Sequence, residues 1–421
     1  MGKPMNIFVP HCSDLLTDHL PHGDGLIAHG FLTQLARRGH RLQVAVERAE
    51  LNKPLHPNIS IHQIPCGRRG LFLSRLEYMY RVRALFKKLD NSFHFDLIHQ
   101  LNPVFTGVSL SLIGSGLPLV LGTYVARWPD DSDSATTPRT SLSSRVLSSA
   151  RNVICNLQQR YADAIVLTTP AARNRLPSAD LVRDRVFMLP HGVDAELFSP
   201  DESSDASLAA QKENPTILFF ANVAPRKGIF TLIEAFAIVA RHNQKAILRV
   251  AGDGSALDEV KRRAASMSCI DRIEFLGRQG RVAAATLYRN CDIYCLPSRG
   301  EPYATTVLEA MSCGKPIVVT DAGGLPYMVH DRGGKRVPVG NPVLLAEALL
   351  DLLEHPEQRR AMGRYNRKLV EATMTWENVI NQLEEIYRQV VQRSTSARRG
   401  RQHGEVPIMD RASSYEVQEH V

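Results

Sequence analysis

Two runs of alternating strand-like and helix-like segments, one on each side of a polar interruption, constrain this chain more than any other feature. In the first run "MNIFVP" is a short apolar strand, and "LIAHGFLTQLARRGH" carries Leu26, Phe31, Leu32 and Leu35 at helical spacing before Gly39 stops the helix. "RLQVAVE", "DLIHQL" (96–101), "LPLVLGTY" (117–124) and "DAIVLTT" (163–169) read as further strands. The second run restarts at "TILFFANV" and continues through "AILRVAGDG", "RIEFLGR", "DIYCLPS" and "PIVVTDAGG", each followed by a helical pattern. Strands separated by helices pair in parallel and are covered on both faces. The expected fold class is therefore α/β, as two doubly wound units.

The interruption is "DESSDASLAAQKENP" (201–215), which has almost no large apolar residue. It is the best linker in the chain, so the boundary is expected there. A chain of 421 residues also exceeds what one core organises, which agrees with two domains. A second polar stretch, "PDDSDSATTPRTSLSSR" (129–145), reads as a mobile insertion in the first half. The end of the chain turns helical, and 393–421 is expected to be disordered because it has few aliphatics.

Seven cysteines, an odd number with no C-x-x-C, give no disulfide framework and point to a reducing, cytoplasmic compartment. Cys291 and Cys295 alternate like core residues of a buried strand, without a histidine cluster to make them metal ligands. The apolar start is too short for a signal peptide, and no 18-residue apolar run is present. A net charge of +8 suggests an anionic partner and leaves nucleic acid, membrane surface and nucleotide phosphate open.

"RGEPYATTVLEAMSCGKP" (299–316) holds two acids, Glu301 and Glu309, eight positions apart. On a continuous helix that is about 12 Å of rise, too far for both carboxylates to share one proton. They suit the two ends of one long ligand instead. Pro302 keeps Glu301 out of helical geometry, so Glu301 belongs to the loop after "DIYCLPS" while a helix begins near Thr305 or Thr306 and carries Glu309. Between the acids lies a helix start with unbonded N–H groups, suited to a phosphate or diphosphate.

Here the sequence resembles the retaining glycosyltransferases of the GT-B fold, family 4 (group 1) in particular. "EPYATTVLE" matches their E-x7-E motif, and "HGVDAELFSP", "RKGIFTLIEAF", "RVAGDGSALDEV", "FLGR" and a terminal W-x9-IY extend the likeness over about residues 5 to 390. The resemblance implies two Rossmann-like domains around a central cleft: 1–200 for the acceptor, 201–370 for the nucleotide sugar, and a terminal helix, 371–392, packing back on the first. It implies hexose transfer from a nucleotide diphosphate sugar to a hydroxyl acceptor (glycan, glycolipid or lipid-linked saccharide), with no metal and no cofactor. Glu301 would hold donor-sugar hydroxyls and Glu309 the ribose, while N–H groups around Thr306 and Val307 would receive the diphosphate. Arg226 and Lys227, on the loop after "TILFFANV", stand where the family keeps its basic diphosphate ligand. Gly252 and Gly254 of "AGDG" fall on the donor side, and Gly23 and Gly25 of "HGDG" would let backbone approach a phosphate or acceptor.

The sequence departs from the family at two places. Tyr124 stands where a histidine is common, which touches the acceptor side. Ala221 and Asn222 replace a usual Gly-Arg pair, so Arg226 is the candidate substitute for that arginine. His99 ends a strand and could line the acceptor cleft or be a satisfied structural histidine. His191 is read more simply as structural.

Residues 67–89 carry seven Lys or Arg against one acid, with Phe72, Leu76, Met79, Val82, Phe86 and Leu89 at helical intervals. Such a helix can lie on an anionic membrane or pack its stripe into a core. Other functional classes fit less of the sequence. A dinucleotide-dependent oxidoreductase would need a G-x-G-x-x-G that is missing, nucleic-acid binding has only the charge behind it, and a non-catalytic relative that binds sugar nucleotide stays open.

Overall fold

The computed structural model describes residues 3–20, 22–66, 71–102, 107–122, 142–173, 176, 179, 181–201 and 214–402. The first half of the chain forms a sheet of seven parallel strands in the order β5-β3-β1-β6-β7-β8-β9. These are β1 (Asn6–Val9), β3 (Arg41–Val46), β5 (Ile59–Gln63), β6 (Leu97–Gln100), β7 (Leu119–Leu121), β8 (Ala164–Leu167) and β9 (Val186–Met188). Two short strands, β2 (Leu15–Thr17) and β4 (Arg48–Glu50), pair apart from it. The helices of this half are α1 (Gly23–Arg37), α2 (Leu71–Phe93), α3 (Leu142–Tyr161) and α4 (Pro170–Arg173).

The second sheet has six parallel strands in the order β12-β11-β10-β13-β14-β15. They span β10 (Thr216–Phe220), β11 (Ile247–Ala251), β12 (Ile273–Gly277), β13 (Ile293–Leu296), β14 (Ile317–Thr320) and β15 (Gly334–Val337). Its helices are α5 (Ile229–His242), α6 (Leu257–Ala265), α7 (Arg281–Asn290), α8 (Thr305–Ser312), α9 (Leu325–Met328), α10 (Pro342–Glu354) and α11 (Pro356–Thr373). The last helix, α12, runs from Trp376 to Gln402.

Both sheets start in the middle, wind to one edge, then return to wind to the other. The reversal lies between β1 and β6 in the first and between β10 and β13 in the second. Loops at the carboxyl ends of the strands flanking such a reversal diverge and leave a crevice for ligands. The strands read as continuous apolar runs because both faces are covered. In β1, Ile7 and Val9 enter one core with Phe31, Leu35 and Leu383, while Phe8 between them enters the other, 5.2 Å from the ring of Phe86.

α12 belongs in space to the first half, since Val379, Ile380, Leu383, Ile386 and Tyr387 share a core with β1, β3 and α1. The chain reaches it through Thr375, which bridges Val193, and through Trp376. The Trp376 ring lies on two glycines. A Cβ on Gly30 would come 2.2 Å from its Cζ2 and one on Gly192 2.4 Å from its Cε3.

Some expectations meet a different structure. α1 begins at Gly23, so Gly23 and Gly25 form a first helical turn rather than a loop, and the Gly25 N–H bonds the capping His22 Nδ1 at 3.1 Å. α12 stays helical to Gln402, past the expected start of disorder at 393, and residues 403–421 lie outside the described residues. The linker at 202–213 and most of the insertion, 129–141, lie outside them too. The helix expected over 67–89 is α2, whose Val82 and Phe86 are core residues with Met79 and Leu89 packed against them. Leu76 leaves that stripe, and with Leu73 and Tyr80 it stands exposed.

Candidate active site

The loops after β10 and β13 converge at the second reversal. After β10 the chain makes a 3₁₀ turn at Pro225–Lys227 and then Gly228, whose φ of 75° lies in the left-handed region. A Cβ there would sit 1.7 Å from Pro297 O, so glycine alone allows the turn to close on the end of β13. Arg299 N–H donates to Arg226 O at 2.8 Å and Ser298 Oγ lies 3.0 Å from the same carbonyl, which joins the two loops.

That join brings together residues distant in sequence. Lys227 Nζ is 2.6 Å from Glu301 Oε1 and an Arg226 guanidinium nitrogen is 3.6 Å from the same oxygen, which also accepts from Ser298 Oγ at 2.9 Å. The Glu301 side chain is only 5 % exposed and Ser298 is fully buried, so these charge-assisted bonds act with little competition from water. Thr320 Oγ1 at the end of β14 donates to Ser298 O, and Gly324 N–H donates to Glu301 O at 2.6 Å. The first half of the chain also touches this loop, through Thr169 Oγ1 donating to Pro302 O at 3.0 Å and through the His191 and Tyr303 rings, 4.8 Å apart.

α8 starts at Thr305 beyond an extended Ala304 that offers no side-chain cap. Val307 and Leu308 N–H both turn back onto Ala304 O (3.1 and 3.2 Å), so the Val307 N–H expected to face a diphosphate is used inside the helix's own first turn. The N–H groups of Thr305 and Thr306 precede that ladder, at the positive end of the helix. Glu309 lies one turn on. Part of its surface meets solvent, yet it is set so deep among protein atoms that desolvation pushes its carboxyl up to about 7, against the opposing effects of Arg281 and of a 3.0 Å bond from the Tyr288 hydroxyl.

The glycines after β11 have a local explanation. A Cβ on Gly252 would meet Ala221 O at 1.9 Å and one on Gly254 would meet Asn222 Oδ1 at 2.2 Å, so both let this loop lie on the loop after β10. Gly25 is likewise approached by Leu15 O, whereas Gly23 has open space around its Cα. His99 is 1 % exposed, with Nδ1 2.6 Å from the Tyr387 hydroxyl and Nε2 2.6 Å from Gly122 O. Burial holds it neutral, at about 4, so Nε2–H donates to the carbonyl and Nδ1 accepts. Of the two readings of His99, these bonds fit the satisfied structural histidine and not a residue lining a cleft: it joins β6, β7 and α12. Tyr124 lies outside the described residues.

At the reversal of the first sheet a small pocket is lined by Cys12, Asp24, Phe31, Leu101, Asn102 and His191, with the Asn102 amide donating to Asp24 Oδ2 at 3.0 Å. Sequence reading missed Asp24 and Asn102, as it missed Ser298, Tyr288 and Tyr294. The tyrosines read as core from their apolar neighbours, and a serine at a strand end carries no motif. Among the described residues no group of three His, Cys, Asp or Glu is arranged to hold a metal ion, and no helix is long and apolar enough to cross a membrane.

Two doubly wound parallel sheets, with basic and acidic loops meeting at a topological reversal, define the GT-B architecture of glycosyltransferases. Solved structures share it. Sucrose-phosphate synthase from Thermosynechococcus elongatus superposes with a TM-score of 0.72 at 22% identity, covering 92% of this chain and 99% of that one. Anabaena HepE in complex with UDP superposes with a TM-score of 0.70 at 19% identity, covering 90% and 98%. Residues 25–197 match the family described as Glycosyltransferase Family 4, and residues 200–369 match Glycosyl transferases group 1. The chain belongs to these group 1, family 4 glycosyltransferases. Among curated relatives, the D-inositol 3-phosphate glycosyltransferase of Saccharomonospora viridis is 26% identical over 85% of this chain and 87% of its own. The GDP-mannose-dependent monoacylated alpha-(1-6)-phosphatidylinositol monomannoside mannosyltransferase of Corynebacterium glutamicum is 32% identical over 45% of this chain, which spans about half (52%) of that relative.

Proposed function

We propose that this chain transfers a hexose from a nucleoside diphosphate sugar to a hydroxyl acceptor, with retention at the anomeric carbon and without a metal. The observation that carries the reading is the convergence of Lys227, Arg226 and Glu301 beside the first turn of α8. The diphosphate rests on the Thr305 and Thr306 N–H groups and on the two cations, Glu301 takes sugar hydroxyls, and Glu309 takes the ribose. As the bond from the anomeric carbon to the diphosphate oxygen breaks, negative charge grows where the cations stand, so they act on the transition state more than on the ground state. The acceptor oxygen forms its bond on the same face, and its proton passes to the departing phosphate oxygen. UDP bound to HepE and the GDP-mannose dependence of the Corynebacterium relative support a nucleotide-sugar donor.

The acceptor is a glycan, a glycolipid or a lipid-linked saccharide. On α2, Leu73, Leu76 and Tyr80 are exposed beside exposed Arg81, Arg83, Lys87 and Lys88, a surface suited to the anionic cytoplasmic face of a membrane. No contact with nucleic acid is proposed. Nucleotide release from a panel of UDP-, GDP- and ADP-sugars tests the donor, and the anomeric coupling of the product tests retention. Turnover that persists in EDTA is expected. Silence with every donor removes the proposal.

A further inference from the structure

α8 rests on two fully buried tyrosines, Tyr288 from α7 and Tyr294 from β13, whose rings lie 5.6 Å apart. Tyr288 donates to Glu309 Oε2 at 3.0 Å, and the Tyr294 hydroxyl lies 2.8 Å from Thr306 Oγ1 and 3.1 Å from Phe220 O. Phenylalanine would fill either site without burying a hydroxyl, and a buried hydroxyl is costly unless its bond is made. The bonds made here go to the side chains of the two α8 residues that bracket its first turn. Building on the donor-site reading above, we infer that Tyr288 is a positioning residue whose bond to one Glu309 carboxylate oxygen holds the side chain so that its other oxygen faces the ribose hydroxyls of a nucleoside diphosphate.

Glu309 is faced by Arg281 at the start of α7, by Tyr288, by Tyr294 from β13 and by Cys313 just beyond α8. Of these, Arg281 and the Tyr288 hydroxyl favour the carboxylate, and burial opposes it. With its carboxyl near 7, Glu309 is finely balanced at neutral pH. A bond to a charged group is strong enough that losing it moves a carboxyl by about one pH unit or more. Ribose hydroxyls donate better to a carboxylate than to an acid, so the loss would appear as weaker nucleotide binding that base restores.

Calorimetric titration of UDP and GDP into the full chain from pH 6 to 9, with donor kinetics alongside, tests this. Tyr288→Phe should bind about five- to ten-fold more weakly at pH 7 and approach the unsubstituted protein by pH 9, with KM raised and kcat nearly unchanged. In a Glu309→Gln background the same change should do nothing more. Equal affinity at every pH, or a deficit constant from pH 6 to 9, overturns the role. Should Tyr288→Phe fail to fold, the unsubstituted protein must still lose nucleotide affinity below about pH 7 and Glu309→Gln must not; a flat unsubstituted profile overturns it. No binding by the unsubstituted protein overturns the donor-site reading itself, whereas binding with an unaltered Tyr288→Phe profile removes only the tyrosine.

Discussion

Lys227 Nζ and Glu301 Oε1 are 2.6 Å apart, so a cation at the end of one central strand is clamped to an acid at the end of its neighbour in the sheet. The pair is nearly enclosed, and Arg226 and Ser298 share the same carboxylate oxygen. An incoming diphosphate would therefore find its cation already in place.

Lys227→Ala and Glu301→Gln separate the two halves of that clamp. Charge-assisted bonds are worth about 1.5–3 kcal/mol, so Lys227→Ala should lower kcat/KM with the donor on the order of 10- to 100-fold. Glu301→Gln should lose most turnover. In Lys227→Ala, Arg226 and Ser298 still reach the Glu301 carboxylate, and in Glu301→Gln the amide keeps the shape of the side chain, so both variants should retain the native circular dichroism spectrum. Unchanged turnover in both would take them out of the site.

Glu309 should make stability depend on pH. Its carboxyl is raised from 4.5 to about 7 on folding, so between those values the unfolded chain has released a proton that the folded chain still holds. Stability from this group falls as pH rises through that window and stays low above it. Glu309→Gln should therefore melt higher than the unsubstituted protein at pH 8, by about 1–2 kcal/mol after allowance for partial exposure, and show no gain at pH 4.5. Thermal melts at the two pH values check the sign.

The opposite window belongs to His99. Its folded value of about 4 lies below the ordinary 6.5, so stability is intact above 6.5 and is lost as pH falls toward 4, where the unfolded chain takes up the proton first. His99→Gln should be less stable at pH 7 by about 1–3 kcal/mol through loss of its two bonds. Its stability should also change less between pH 6.5 and 4, and its donor KM should match that of the unsubstituted protein. A raised KM would restore His99 to the site.

Trp376→Ala should cost about 2–4 kcal/mol, below the range for a fully buried aromatic side chain because the ring is only partly buried. Gly30→Ala should damage the same contact, because its new methyl would strike the ring. Urea unfolding measures both, and a loss below about 1 kcal/mol for each would show that the ring is not the anchor.

Much of the architecture was legible because parallel strands buried on both faces write themselves as apolar runs. β10, β11 and β13 read directly in this way, as did the break at Pro302 that sets Glu301 apart from α8. Less regular elements were missed. β9 is three residues long and only partly buried, β15 is short and only partly apolar, and β2 and β4 are three-residue strands whose pairing depends on the loop around them. Glu301, Lys227 and Glu309 were singled out as candidates through spacing and resemblance. Ser298 and Tyr288 matter through bonds to residues far along the chain, and no local pattern announces such bonds. His99 shows the converse: a histidine at a strand end looks available until Tyr387, near the other end of the chain, takes up its second nitrogen.

The place of α12 has a bearing on biosynthesis. A ribosome delivers β1 and α1 early, but the side chains that seal their shared face, Val379 to Tyr387, emerge only after the whole second sheet has been made. At ordinary rates of synthesis that is an interval on the order of tens of seconds, during which Phe31 and Leu35 lack their lid and a nascent chain depends on chaperones to stay apart from its neighbours.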